Sequence, residues 1–337
     1  CTIVPGGFWF VKLKIDPTLG INPQSPLVTT DEERGRKKPW DRFVMEDCVE
    51  KKFLFTTVTG SDIVPFYNTQ KRLVVLPIDV SDNTTKIVRA SDKTGIMEPD
   101  MKNYLTEVEQ IFDSKKSGSA SKMTIYEYMN WQNKLTKQKP SSFKVLYIGK
   151  GKYLAACVVK GREKKEFGDQ GISFSINTEL ICDAGTYWFN TESEKEAHYL
   201  CAVLNSKTVD DFIKPMQSQG KLGPRDIHKI PLEFPIPEFD ENNPVHNELA
   251  EISEKCEQKA LSVIQSLNYS SLGKIRTEIR KVLATEIDRI DELVKRLQQP
   301  LNTEIKKSVR SKPYVSYLII LNPTFLAKIS KVFFPKK

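Results

Sequence analysis

Prolines at Pro231, Pro235 and Pro237 divide this chain into two stretches that must fold differently. Proline has no amide hydrogen, fixes φ and pushes the residue before it toward extended conformations, so Ile230–Pro237 cannot continue a helix. Before that run, Lys52–Val58, Arg72–Val80, Phe143–Ile148, Tyr153–Lys160 and Thr178–Asp183 are short, rich in β-branched and aromatic residues and bounded by turn formers, the pattern of strands. After it the period changes. Val245–Ile264 places Leu249, Ile252, Cys256, Ala260 and Val263 on one stripe, and Gly273–Leu297 does the same with Ile275, Ile279, Val282, Leu283, Ile287, Ile290, Val294 and Leu297. At 1.5 Å per residue the second helix would extend on the order of 37 Å. Joined by Asn268-Tyr269-Ser270-Ser271, the two should pack as an antiparallel pair that buries the stripes, although the same stripes could serve a partner helix. The expected fold class is α+β: a mixed sheet with flanking helices, then a long antiparallel helix pair.

Helices also interrupt the strand-rich part. Asp100–Phe112 and Met123–Leu135 carry apolar residues at helical spacing, with the flexible loop Ser114–Ala120 between them. Thr191-Glu192-Ser193-Glu194-Lys195-Glu196 twice satisfies the Ser/Thr-x-x-Glu capping pattern, so a helix starts there, buries Ala197, Leu200, Cys201 and Leu204, and stops near Asn205-Ser206. A shorter helix from Val209 to Lys214 ends at Pro215. It leads into the Gly-containing basic loop Gln217–Arg225.

With 337 residues and 39% hydrophobic content the chain can bury one large core or two ordinary ones. Its net charge of +8 is unevenly placed: Lys134–Lys165 carries net +9 and Asn302–Lys337 net +7, which leaves the rest at −8. Such polarisation favours a polyanionic partner, against the alternative that each lysine run is solvated surface. Six scattered cysteines with no Cys-x-x-Cys pair, and three histidines, argue against a structural zinc site. Cys157, Cys201 and Cys256 lie in apolar-periodic stretches, as reduced core cysteines of a cytoplasmic protein would. The apolar stretch Tyr314–Ala327 is broken by Asn322-Pro323-Thr324 and is shorter than the roughly 20 residues of a membrane span, so no membrane is expected. Because the chain begins with Cys1 rather than Met, a fragment or processed product is expected, with further domains upstream.

Nucleophile and phosphate-loop signatures are missing: there is no Gly-x-Ser-x-Gly, no His-Glu-x-x-His and no Gly-Lys-Ser/Thr loop. Asp62 and Asp169 read as turn residues. His228 could contact a phosphate, but reads more simply as a surface histidine. The candidate binding residues are cations and amides. Gly149-Lys150-Gly151-Lys152 reads as a hairpin turn, and with Lys160-Gly161-Arg162-Glu163-Lys164-Lys165 it brackets the apolar run Tyr153–Val159, which would separate the two groups by about 20 Å or more as a strand. Lys150, Lys152, Arg162, Lys164 and Lys165 would then meet several backbone phosphates along a duplex. Gln217, Gln219, Lys221 and Arg225 add side chains of the kind that read purine edges.

Lys144–Val159, Phe174–Asp183 and then Glu196-Ala197-His198-Tyr199-Leu200-Cys201-Ala202-Val203-Leu204-Asn205-Ser206 together resemble the target recognition domains of adenine-specific DNA methyltransferases. The stretch Tyr-Leu-x-Ala-x-Leu-Asn-Ser is the most telling part. Gly220–Arg225 followed by Pro231–Pro237 resembles the family's loop and proline-bounded strand. Thr59-Gly60-Ser61-Asp62-Ile63-Val64-Pro65-Phe66-Tyr67 looks like the opening strand of such domains in fused, type IIG-like restriction-modification enzymes, and Ile287–Val294 resembles their helical ending. The resemblance covers Lys51–Leu297. It implies a recognition domain over residues 1–237, a helical spacer or docking region over 238–299 and a basic tail over 300–337. It also implies double-stranded DNA as partner, and a methyltransferase core, upstream or in trans, that carries S-adenosylmethionine. This chain has neither the family's Gly-rich cofactor loop nor its Asn/Asp-Pro-Pro-aromatic tetrapeptide; Asn322-Pro323-Thr324-Phe325 is the nearest match and reads as coincidence. No catalytic residue, cofactor or metal site is therefore expected here. The competing expectations are a protein-interaction scaffold that uses the long helices, and a single-strand RNA binder.

Overall fold

Short antiparallel sheets and longer helices make up the chain, the α+β architecture expected from its patterning. A computed structural model describes residues 6–15, 20, 22–32, 44–81, 83–92, 98–169, 172–183, 185–220, 223–267 and 271–309, some of them as backbone alone. Instead of one mixed sheet there are several small antiparallel ones, and parallel pairing is confined, among the described residues, to isolated bridges at Thr56–Leu180 and Phe66–Cys157. Two compact units interleave along the chain. One is built from Cys1–Thr59, Gln70–Ser141 and Lys160–Ala184, the other from Gly60–Thr69, Ser142–Val159 and Gly185–Lys337. Residues 1–237 thus contribute to both units, and the helices after Pro237 belong to the second.

In the first unit, α1 (Gly6–Trp9) precedes the antiparallel sheet of β1 (Val11–Leu13), β2 (Leu27–Thr30) and β3 (Glu46–Cys48). β4 (Leu54–Thr57) pairs with β7 (Arg72–Val75), and β8 (Ile78–Ser81) with β9 (Thr84–Ile87). The helices α2 (Pro99–Lys115) and α3 (Ile125–Met129) follow, and β12 (Arg162–Asp169) forms a hairpin with β13 (Ile172–Glu179). Phe8, Trp9, Phe53, Leu105 and Phe112 are fully buried in its core. The N-terminus of α2 is capped from a distance: the Glu50 carboxylate accepts from Asp100 N at 2.9 Å and Met101 N at 2.8 Å, satisfying amides that have no partner inside the helix. Gln138 serves the backbone of Cys182 in both directions, at 2.9 and 2.7 Å.

Among the described residues the second unit holds β5 (Ile63–Val64) and β6 (Tyr67–Asn68), the sheet of β10 (Phe143–Ile148) flanked by β11 (Ala156–Lys160) and β14 (Thr186–Thr191), and the helices α4 (Glu194–Asn205), α5 (Lys207–Ile213), α6 (Pro244–Ser266), α7 (Leu272–Val282) and α8 (Ala284–Val309). The Tyr-Leu-x-Ala-x-Leu-Asn-Ser stretch lies on α4, where each of its polar groups has a structural task. Tyr199 Oη donates to Pro237 O at 2.9 Å, Asn205 exchanges hydrogen bonds with both backbone groups of Ala156 at 3.1 and 2.9 Å, and Ser206 Oγ caps α5 through Val209 N at 3.1 Å. In α5, Asp210 Oδ1 accepts from Leu154 N at 2.8 Å. Both ends of residues 154–156, at the exit of the Gly149–Tyr153 turn, are therefore tied down. The buried face of α6 is mostly small, with Ala250, Ser253, Cys256 and Ala260, which lets α4 approach closely. Ile279, Leu283, Ile290, Leu293 and Val294 are likewise buried, so most of the expected stripe of the last helices is covered within the chain, while Val282 is exposed and Ile275 and Leu297 are half-buried. Ion pairs Glu248–Arg289 and Lys259–Glu286 run in opposite chain order along α6 and α8, which gives the expected antiparallel sense.

Several expected elements differ, each for a local reason. The helix expected over Met123–Leu135 stops at Asn130, whose side-chain oxygen accepts from Leu135 N (3.1 Å) and Thr136 N (3.2 Å); Gln132 and Asn133 both adopt φ of 57°. The helix expected over Gly273–Leu297 bends at Leu283 (φ −92°, ψ 15°), although Leu283 N→Ile279 O and Ile287 N→Leu283 O, both 2.9 Å, continue across the bend. Pro231–Pro237 is not a strand: Ile230–Glu233 is a 3-10 turn, compatible with Pro231 at its start, where no amide hydrogen is needed. The 59–67 segment is not one strand either. It turns back on itself at Pro65-Phe66, where Phe66 takes φ of 66°, fully buried and bonded through its amide to Ala156 O at 2.8 Å. Strand β11 starts at Ala156 rather than Tyr153. Among the described residues no helix is long and apolar enough to cross a membrane; Tyr314–Ala327 and the Asn322–Phe325 tetrapeptide lie outside them.

Candidate nucleic-acid interface

The turn between β10 and β11 is laid directly against the segment that follows the Gly-containing loop. Gly149 O accepts from Ile227 N and His228 N, each at 3.0 Å, and Gly151 N donates to Arg225 O at 2.8 Å. A Cβ on Gly151 would come within 2.8 Å of Ile148 Cδ1 and 3.2 Å of Tyr153 O, so the turn packs this closely because the residue is glycine. Lys150, Lys152, Arg225 and His228, scattered in sequence, thus share one exposed surface of the second unit.

That surface carries one carboxylate near its centre. Asp226 accepts from Ser218 Oγ at 2.5 Å, lies 3.8 Å from Lys150 Nζ and 3.5 Å from His228 Nε2, and the Ser218 hydrogen bond, followed by the His228 and Lys150 charges, holds its carboxyl below the usual range. Beneath it Tyr147 and Tyr187 stack at 5.1 Å with ring planes 11° apart. Tyr147 Oη donates to His228 O at 3.0 Å, and Tyr187 Oη lies 3.3 Å from His228 Nδ1. Burial pushes the Tyr147 hydroxyl well above its ordinary pKa, so it remains a donor. These contacts fix His228 at a positive φ of 44°, with its ring exposed.

Gln217 sits elsewhere than a base reader would. Its side chain is buried and donates to Gly151 O at 3.2 Å, so it supports the turn from beneath. The side chains of Lys165 and Gln219, and the whole of Lys221, lie outside the described residues. Arg162 and Lys164 belong to the first unit, on β12, where Arg162 pairs with Glu179 at 2.5 Å and Lys164 with Glu166 at 2.9 Å. The basic run Lys134–Lys165 is divided in the same way: Lys144, Lys150 and Lys152 belong to the second unit, the others to the first. Lys144 is buried and donates to Asn190 Oδ1 at 3.0 Å.

The sequence matches no protein-family model and no curated protein. Among solved structures it is similar to that of the type IIL restriction-modification enzyme MmeI in complex with DNA. The likeness has a TM-score of 0.42 at 14% identity, and it covers 84% of this chain and 30% of that one. The chain spans less than a third of the length of that structure.

Motif reading missed Tyr153, Lys214, Arg276 and Arg280. Lys152, Lys214 and Arg280 each lie over the Tyr153 ring, at 5.2, 5.2 and 5.3 Å from its centroid. Their one sequence signal is the four-residue spacing of Arg276 and Arg280, which puts both on one face of a helix.

Proposed function

We propose that this chain binds double-stranded DNA and serves as the sequence-selecting part of a DNA-modifying enzyme, with the Gly149–Tyr153 turn and the Arg225–Lys229 segment as its principal contact surface. The observation that carries this reading is the hydrogen-bonded union of those two segments, which brings exposed Lys150, Lys152 and Arg225 to one tyrosine-backed surface, with Lys150 and Arg225 beside Asp226. Fixed cations at that spacing release counterions from neighbouring phosphates, and Arg225, with Gln219 and Lys221 in the adjoining loop, supplies donors for base edges. Arg162, Lys164 and Lys165 form a second, weaker set, because Arg162 and Lys164 already face carboxylates. The site-specific adenine methyltransferase core that this part would serve, and the S-adenosylmethionine it would use, are assigned to a partner region and not to these residues. The burial of Ile279, Leu283, Ile290, Leu293 and Val294 leaves Val282 as the exposed part of the expected α7–α8 stripe, which supports this reading over a helix-docking scaffold.

The test is a salt titration of duplex binding by fluorescence anisotropy. Lys150→Gln, Lys152→Gln and Arg225→Gln combined should flatten the plot of log affinity against log salt by up to about 2.7, roughly 0.9 for each lost phosphate contact. Arg225→Ala alone should cost roughly 1–3 kcal/mol on a cognate site and less on random duplex if it reads a base. An unchanged slope in the triple variant, or a preference for single strands over duplex, would overturn the proposal.

A further inference from the structure

Beside the proposed contact surface the second unit contains a cleft of about 550 Å³, lined by Pro65, Lys152, Tyr153, Leu154 and Ala155 on one wall and by Gly273, Arg276, Thr277 and Arg280 of α7 on the other. Its chemistry is one-sided: among the described residues its lining presents three cations and no carboxylate. Arg276 donates to Ile63 O at 3.0 and 2.7 Å and to Gly60 O at 2.7 Å, and Arg280 donates to Leu154 O. Among the described residues neither guanidinium has a carboxylate within ion-pair distance. Carbonyl oxygens orient these two groups, the charges of Asp210 and Asp291 offset only part of the cost of burying Arg280, and each guanidinium keeps N–H donors beyond those so used.

Two partly buried guanidiniums one helical turn apart repel each other. Burial, then the charge of Arg280, pushes Arg276 down to about 10, and burial lowers Arg280 as well, against the charges of Asp210 and Asp291 that raise it. A fold that keeps both charges close, held by backbone oxygens and open to a cavity, is arranged for an anion that would relieve the repulsion. Tyr153 collects Lys152, Lys214 and Arg280 about one ring at the cleft mouth, and Gly273 brings the first turn of α7, the positive end of its dipole, to the same wall.

We infer that this cleft is a phosphate-binding site, in which Arg276, Arg280 and Lys152 grip one phosphate group through the guanidinium forks and the ammonium. Its ligand chemistry is a phosphate oxyanion, supplied either by the DNA backbone or by a free phosphate or nucleotide. Only the first source rests on the DNA-binding reading above.

The experiment uses the full chain, with inorganic phosphate and a duplex as separate probes. At constant ionic strength, phosphate should raise the melting temperature of the wild type progressively where chloride does not. The rise should be lost in Arg280→Lys, which keeps the charge but loses the fork, and reduced in Lys152→Gln, whose exposed side chain makes no backbone bond that folding requires. If Arg280→Gln, which removes the charge at a residue outside the surface proposed above, flattens the salt slope of duplex binding by about 0.9, the DNA backbone is the source. If duplex binding is unaffected while the phosphate effect is lost, the site takes a free phosphate. A chain that binds no duplex but is still stabilised by phosphate would remove the DNA reading and leave the cleft standing. The inference falls if phosphate stabilises wild type and Lys152→Gln no better than chloride does, or if Arg280→Lys, folded, responds as the wild type does.

Discussion

Asn205 offers a sharp test of how the second unit is held together, because all its polar atoms face backbone in a site that is 1% exposed. Its amide nitrogen donates to Ala156 O at 2.9 Å and Cys201 O at 3.0 Å, and its oxygen accepts from Ala156 N at 3.1 Å. Asn205→Ala removes all three bonds, but the losses are unequal. Ala156 O still accepts from Phe66 N at 2.8 Å, whereas the Ala156 amide loses its side-chain acceptor in a buried position. An unsatisfied buried amide costs about 1–3 kcal/mol and a net hydrogen bond about 0.5–1.5, so the variant should lose roughly 2–4 kcal/mol, with the amide as the larger part. Asn205→Asp separates donor from acceptor. It keeps an oxygen for Ala156 N but turns a second oxygen toward the Ala156 and Cys201 carbonyls. Burial and those carbonyls must raise the introduced carboxyl above its unfolded value of roughly 3.9. The folded state then holds a proton that the unfolded state releases, so stability present below the unfolded pKa is lost as pH climbs toward the folded one, by up to about 1.4 kcal/mol per pH unit. Urea unfolding at pH 5 and pH 8, followed by tryptophan fluorescence, should show the Ala variant destabilised nearly equally at both after correction for wild type, and the Asp variant distinctly worse at pH 8. An Asp variant as stable at pH 8 as at pH 5, or an Ala variant within about 0.5 kcal/mol of wild type, would refute the assignment.

Gly161→Ala should be at least as damaging as ordinary overpacking, about 1–3 kcal/mol, because the new Cβ would lie 1.9 Å from Ser141 O, a backbone atom that cannot rotate away; a melting temperature equal to wild type would refute it. Burial lowers the pKa of both His198 and His246, so the unfolded state takes up protons first as pH falls below about 6.5. The stability these histidines contribute is complete above that value and is lost on acidification toward their folded pKa values. His198→Gln with His246→Gln should therefore flatten the dependence of unfolding free energy on pH between 7 and 5, even if its absolute value drops.

What the sequence by itself determined is the part of the structure governed by near neighbours. Strand β10 occupies the expected Phe143–Ile148, α4 stops at Asn205 as expected, and its Ser193 accepts from Glu196 N at 3.2 Å as the capping pattern requires, because caps and apolar periods act within one or two turns. Even at short range, polar side chains could override periodicity: Asn130 ends a helix by offering its oxygen to two amides beyond it, a competition that apolar spacing does not register. Of the candidate site, Lys150, Lys152 and Arg225 were legible as cations in glycine-containing loops. That the two loops form one surface was not, since it depends on hydrogen bonds from Gly149 and Gly151 to residues beyond position 224. Gln217 had the right chemistry for a base reader and the wrong exposure, and burial is decided only when the chain closes over a residue. Tertiary structure alone brought Arg276 and Arg280 to the carbonyls of Gly60, Ile63 and Leu154, and alone separated a continuous basic run between two units. Charge is a property of a residue, but the field it makes depends on which segments fold beside it, and that arrangement is written in contacts between distant positions.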